Sequence, residues 1–225
     1  MATSESKIKI RSKDHGPYLD AQGAKLPSVT GIGRLRSIEG LAPAANKLGL
    51  EGINSNTHWK ELAHIGTVTH AAILADLSGR TAESVLEGVD KLTRDVAENC
   101  YISFMAWRKQ HELKPIALEK LLVSETWRYG GTPDFVGYVD GVLELVDFKT
   151  GKGIYDSAFV QLAGYAALLV ENKIIDQYPA RYRILNIPRA ETEAFAEKAE
   201  TDLTVQWEIF KHWLAVYWLE KELEK

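Results

Sequence analysis

Asp147, Phe148 and Lys149 place a carboxylate and an ammonium two residues apart, and in a strand that spacing sends both side chains to one face. Asp140-Gly141 lies just upstream between two alternating runs, Asp134 to Val139 and Val142 to Lys149, and Asp-Gly suits a two-residue type I′ hairpin turn. Counting back from Val139 opposite Val142 predicts Asp134 opposite Asp147 and Thr132 opposite Lys149. Like charges facing each other on a sheet, with Cβ atoms about 4.5 to 5.5 Å apart, are destabilising, so something positive must reconcile them. A hard cation such as Mg²⁺ or Mn²⁺, held by one or two carboxylates with water and substrate phosphate, does so. Lys149 on the same face then orients an attacking water or neutralises charge on a phosphate. An Asp-x-Lys triplet alone occurs in many exposed strands; the second aspartate in register separates this one from a solvated ladder.

These residues resemble the PD-(D/E)XK nuclease superfamily, and within it the RecB-like and phage-type exonucleases. Gly131-Thr132-Pro133-Asp134 is similar to the first acidic motif, and Asp147-Phe148-Lys149-Thr150 to the acidic-x-Lys motif in its Asp form. Gln161 and Tyr165 match a Gln-x-x-x-Tyr signature of the RecB-like branch; four apart, they share one face of a helix. Gly66-Thr67-Val68-Thr69-His70 resembles that branch's Gly-to-His helix. The resemblance implies a restriction-endonuclease-like α/β fold and a site in which His70, Asp134, Asp147 and the backbone carbonyl of Phe148 hold Mg²⁺ or Mn²⁺. Lys149 then positions or deprotonates the nucleophile, with Gln161 and Tyr165 at the site or the DNA backbone. It also implies a DNA substrate and a role in end-processing, recombination or repair, in a phage setting or with a separate helicase or recombination partner. No GxxxxGK[ST] phosphate loop occurs in the chain, and its one cysteine, Cys100, cannot build the iron–sulfur cluster of some members.

Each further candidate has a plainer competitor. His70 shares a helical face with Gly66, Ile73 and Leu74, where a histidine is often a satisfied core residue. Glu125, in a run that alternates from Leu121 to Trp127, is either an additional ligand or a solvated strand position. Lys152, in the loop Thr150-Gly151-Lys152-Gly153, either binds a phosphate or is simply solvated. Trp207, Phe210, Trp213, Tyr217 and Trp218 recur at three-to-four spacing, which points to core packing or an oligomer contact rather than base stacking.

The elements that must position these residues follow from the same pattern. Asp14 to Leu26 carries turn signals and reads as a short hairpin or loop, and Ser28 offers a cap for a helix through Ile32, Leu35 and Ile38. Pro43 begins a short helix ending near Gly49 and Gly52, a longer one runs from Trp59 to Leu77, and a stripe from Val85 to Trp107 makes one long or two stacked helices. Pro115 is expected to close this helical part. Strands then cover Leu121 to Trp127 and both arms of the hairpin, a helix runs from Ser157 to Val170, a strand from Tyr182 to Ile187, and a helix from Glu191 to the C-terminus. The expected fold is α/β: a small mixed sheet with an antiparallel hairpin at its catalytic edge, flanked by helices, with a helical N-terminal third and a long C-terminal helix. One domain is expected over 1–225, divided into an N-terminal extension at 1–58, a catalytic core at 59–188 and a C-terminal helix at 189–225.

Composition bounds the function. The chain is 45% hydrophobic and 26% charged, ordinary for a globular protein and far from disorder. With a single cysteine, a disulfide framework or thiolate zinc site is excluded, and a reducing, cytoplasmic setting is expected, with no membrane segment or secretory signal. The formal net charge of −4 speaks against a surface that is basic throughout, so any DNA contact must be local and metal-assisted. Two other classes remain open: a catalytically silent nucleic-acid-binding module on a nuclease fold, and an assembly protein that forms a homo-oligomer through its C-terminal helix.

Overall fold

The backbone turns at Asp140 and Gly141 with φ of 50° and 81°, the paired left-handed conformation that a type I′ turn requires. Asp140 is held there by its carboxylate, which accepts the backbone N–H of Glu112 at 2.8 Å and lies 2.6 Å from His111 Nδ1. These two contacts, that with His111 first, hold the Asp140 carboxyl below its ordinary range.

The computed structural model describes residues 16–35, 41–190 and 192–224. A hairpin, β1 (Tyr18–Leu19) and β2 (Lys25–Leu26), precedes α1 (Val29–Gly33), whose N-cap Ser28 accepts from the N–H of Gly31. The helices α2 (Leu41–Leu50), α3 (Ser55–Leu77), α4 (Glu83–Leu86) and α5 (Lys91–Arg108) follow. Asn54 caps α3 and Asp90 caps α5, each accepting a backbone N–H three residues on. Then come β3 (Leu113–Leu118), β4 (Leu122–Ser124), β5 (Tyr129–Gly131), β6 (Phe135–Val139), β7 (Val142–Lys149), α6 (Asp156–Glu171), β8 (Arg181–Asn186), β9 (Ala196–Glu200) and α7 (Thr204–Leu223). Of the expected features, Asp14, Ile38 and Glu191 lie outside the described residues.

Five strands form one mixed sheet in the order β3-β6-β7-β8-β9, with β7 and β8 parallel and the other pairs antiparallel. The β6–β7 register runs from Val139↔Val142 to Phe135↔Val146, as the turn predicts. Leu145 of β7 packs with Val136 and Ile184 into a core covered by α6 and α7. Val146 and Phe148 point to the opposite face, into a second core with Ile73 of α3 and Phe104 of α5. Of the aromatic residues of α7, Phe210 is buried, and Trp207, Trp213 and Trp218 lie against the first core.

Four expectations need correction. The hairpin is central rather than at an edge, because β3 flanks β6 and β8 flanks β7. Pro115 does not close the helical part; α5 ends at Arg108 and Pro115 lies within β3, an outer strand whose pairing shifts between Pro115 and Ala117, which is where a residue without an N–H donor is tolerated. The strand expected over Leu121 to Trp127 shrinks to β4, which pairs only with β5 in a small separate sheet. The helix expected from Glu191 starts at Thr204, since β9 pairs with β8 along the outer edge of the main sheet.

That outer edge is fastened by charge. Glu144 is fully buried and accepts from Arg183 through Nε at 2.7 Å and from Arg181 at 2.8 Å, while Arg183 also donates to Glu197 of β9 at 2.8 Å. A buried carboxylate met by two guanidinium groups keeps β7, β8 and β9 in one register, and removing one partner of such a set costs about 3 to 5 kcal/mol.

On the other side, β3 and β6 approach closely at Gly137, where an added Cβ would press on the backbone carbonyl of Lys114 and on Pro115. Gly137→Ala should therefore lower unfolding stability by about 1 to 3 kcal/mol, measured by denaturant titration. Unchanged stability would mean that β3 moves freely relative to β6.

Candidate metal centre and active site

The candidate residues gather where β3, β6 and β7 end. Asp134 immediately precedes β6, one step beyond the last ladder pair, and its buried carboxylate accepts the backbone N–H of Phe148 at 2.9 Å. A hydrogen bond from a buried amide to a charged acceptor is worth about 1.5 to 3 kcal/mol and fixes the direction in which the remaining lone pairs point. Asp147 and Lys149 lie on the β7 face that carries Leu145, and Asp147 Oδ2 is 2.6 Å from Lys149 Nζ. Lys149 also donates to Gln161 Oε1 at 3.2 Å, which ties α6 to the end of β7. The predicted pairing of Thr132 with Lys149 is not part of the β6–β7 ladder, which stops at Phe135↔Val146; Thr132 Oγ1 is 3.0 Å from the hydroxyl of Tyr18, and on its other side Lys149 pairs with Asn186 of the parallel strand β8.

His70 reaches this place from α3, on the other side of the sheet. Its ring meets that of Phe148 edge-on at 6.0 Å, and its Nδ1 lies 3.5 Å from Asp134 Oδ1. That nitrogen is buried and has no hydrogen-bond partner among the described residues. A ring nitrogen aimed at a carboxylate oxygen without a hydrogen bond between them is a placement that a shared cation resolves.

Glu119 completes the group, and the sequence reading missed it. Offered ligand atoms of His70, Glu119 and Asp134 all lie within 4.8 Å of one another. Glu119 directly follows β3 with a φ of 39°, and its N–H donates to the carbonyl of Asp134 at 3.1 Å. The Leu118↔Phe135 pair at the end of the β3–β6 ladder is what brings it there. Glu125, the carboxylate singled out in sequence, instead accepts the N–H of Ala21 at 2.9 Å and fastens the N-terminal hairpin. Lys152 is exposed.

The electrostatics fit a divalent cation. Oxygen and nitrogen ligands about 2.1 Å from such an ion lie roughly 3 to 4 Å apart, so the three side chains need move by less than about an ångström to close on one. Asp134 is buried and Glu119 half-buried, and carboxylate oxygens together with an imidazole nitrogen are donors that a hard or borderline divalent cation accepts. Burial would lower the pKa of Lys149, but the charges of Asp147 and Asp134 outweigh it and raise it, keeping the side chain an ammonium ion. Burial first, and then the same two charges, push the Tyr165 phenol well above its ordinary value, so it remains a neutral hydrogen-bond donor. Tyr165 and Asp134 both line a cleft of about 530 Å³ that opens beside the group.

The model of the PD-(D/E)XK nuclease superfamily matches residues 50–219, most of the chain. The chain belongs to the PD-(D/E)XK nuclease superfamily. No curated protein sequence matches it. Among solved structures, that of SSO0001 resembles it at 12% sequence identity with a TM-score of 0.32, over 66% of this chain and 74% of that one. Nucleases of this superfamily use divalent metal ions, and the His70, Glu119 and Asp134 group is one that can hold an ion. No helix among the described residues is long and apolar enough to cross a membrane.

The two glutamates are separable by experiment. Glu119→Gln should weaken Mn²⁺ binding, measured by isothermal titration calorimetry, by on the order of tenfold or more, equivalent to about 1.4 kcal/mol. Glu125→Gln should leave it unchanged. The reverse outcome would remove Glu119 from the site.

Proposed function

We propose that this chain is a Mg²⁺- or Mn²⁺-dependent deoxyribonuclease of the RecB-like and phage-type branch, acting as an exonuclease in end-processing, recombination or repair. The observation that carries the reading is the convergence of His70, Glu119 and Asp134 beside the Asp147–Lys149 pair. The whole chain, 1–225, is read as one nuclease domain, because β9 belongs to the main sheet and α7 packs on α6. Gln161 and Tyr165, at their four-residue spacing on α6, both face the end of β7, which supports the branch assignment.

In this reading His70, Glu119 and Asp134 hold the ion, with Asp147 and the carbonyl of Phe148 as further donors on β7. The bound ion supplies an acidified water and charge stabilisation for the phosphoryl oxygens. Lys149, an ammonium ion, donates hydrogen bonds to the incoming water or to a non-bridging phosphate oxygen, where negative charge grows in the transition state. Gln161 keeps Lys149 in that orientation through its carbonyl oxygen. Tyr165 donates its hydroxyl to a phosphate oxygen across the cleft. Asp134 is held in place by the Phe148 N–H, so the carboxylate does not have to reorganise when substrate arrives.

The test is gel analysis of matched linear and covalently closed circular DNA, with wild type and Lys149→Ala, in Mg²⁺, Mn²⁺ or EDTA. Metal-dependent loss of the linear form alone, reduced about a hundredfold or more in the variant, is the expected result. Nicking of the circle would replace exonuclease with endonuclease. A Lys149→Ala protein at wild-type rate would sink this assignment of the site.

A further inference from the structure

The cleft beside the acid cluster has two walls of opposite character. One carries Asp134 and Glu119; the other is built from the N-terminal hairpin and α1, and carries Lys25 and Arg34. Both cations are exposed, and neither forms an ion pair with a described residue. Tyr217 of α7 also lines it. Tyr217 is half-buried, its ring edge-on to that of Trp218 at 5.4 Å and 5.8 Å from Lys221 Nζ, and, unlike Trp207, Trp213 and Trp218, it is not among the residues packed against the first core.

The hairpin that presents Lys25 is braced. The Tyr18 hydroxyl is 3.0 Å from Thr132 Oγ1, and the Tyr18 ring fills the place a side chain at Gly130 would take. Arg128 on the neighbouring turn pairs with Asp20 at 3.0 Å, and Asp20 accepts the N–H groups of Gln22 and Ala24 inside the hairpin loop. Lys25 therefore sits on a hairpin tied to Gly130 of β5 and to Thr132, two residues before Asp134.

We propose that this cleft is a subsite for an unpaired nucleic-acid strand, in which Lys25 and Arg34 grip phosphates next to the scissile one and Tyr217 offers its ring to a base; the inference rests on the nuclease reading. At about 530 Å³ the cleft has the size of a small-ligand site. It takes a nucleotide or two of a flexed single strand, not a duplex, whose major groove alone is about 12 Å wide. A positive wall that follows the backbone with an aromatic platform for bases is the combination that single strands require. For a chain with a formal net charge of −4, it also supplies local positive charge where a polyanion must enter. A duplex end must then be opened before its strand reaches Asp134.

The experiment is fluorescence anisotropy with a labelled oligodeoxythymidine strand and a blunt duplex of equal length, in EDTA so that nothing is cleaved, over a series of salt concentrations. Wild type is expected to bind the single strand more tightly. Lys25→Ala/Arg34→Ala should weaken it at least about tenfold and reduce the slope of log affinity against log salt by about 1.4, for two lost phosphate contacts. Tyr217→Ala should weaken it about five- to hundredfold, and Tyr217→Phe should restore binding because the ring is kept. Lys91→Ala/Lys109→Ala removes the same charge at the two ends of α5 and should change little; an equal loss there would reduce the effect to bulk charge and overturn the subsite. Equal or tighter binding of the duplex, or an unaltered salt slope in the Lys25/Arg34 variant, would overturn it too. Tight single-strand binding by a protein that cleaves nothing when metal is added would instead sink the nuclease reading and leave the subsite standing.

Discussion

The register of one hairpin governs the rest of this molecule. Asp140 and Gly141 accept left-handed backbone that few residue pairs tolerate, and from that turn the pairing of β6 with β7 follows without freedom. A slip of one residue would send Asp147 and Lys149 into the core occupied by Val146 and Phe148, and would bring those apolar side chains out into the site. Hydrophobic burial on both faces of β7 thus enforces the polar geometry at its end. The Asp140 carboxylate, held by Glu112 and His111, ties the same turn to the segment between α5 and β3.

The site also depends on the sheet being covered on both sides. Lys149, Gln161 and Tyr165 approach from the face beneath α6, whereas His70 comes from α3 on the opposite face. They can meet only where the strands end, because elsewhere the sheet lies between them. Asp134 stands at that boundary, just outside the ladder, bonded to the Phe148 N–H on one side and 3.5 Å from His70 on the other. An aspartate one residue further into β6 would occupy a buried strand position and lose this double access.

What was legible in sequence is what short-range rules control. The hairpin follows from Asp-Gly between alternating runs, the shared face of Asp147 and Lys149 from strand period, and the pairing of Gln161 with Tyr165 on one face from helical period. Glu119 was not legible, because the register of β3 against β6 is set across β4 and β5 by packing at Gly137 and by a shift at Pro115 rather than by a tight turn. Proline, read locally, argued against a strand there. The strand β9 was missed for a related reason: Ala196 to Glu200 is polar and half-exposed, and only pairing with β8 and the Arg183–Glu197 bond make it a strand. Sequence patterns report a residue's own element well and its distant strand partner poorly.

The resting ion pair of Lys149 with Asp147 adds a constraint on how such a site works. At 2.6 Å the ammonium occupies the Asp147 oxygen that points to it. On the proposed reading, that oxygen cannot serve Lys149 and a divalent ion at full strength together. A bound ion would compete with Lys149 for that oxygen, and the ammonium, held by Gln161, would then be available to water or phosphate. Without the ion, Lys149 offsets the charge of Asp147 and keeps the buried carboxylates tolerable, at an energy that coordination supersedes. A single lysine can thus serve both the stability of the metal-free protein and the chemistry of the loaded one, and the Asp-x-Lys spacing on one strand face allows both because the two side chains can meet or part without any movement of the backbone.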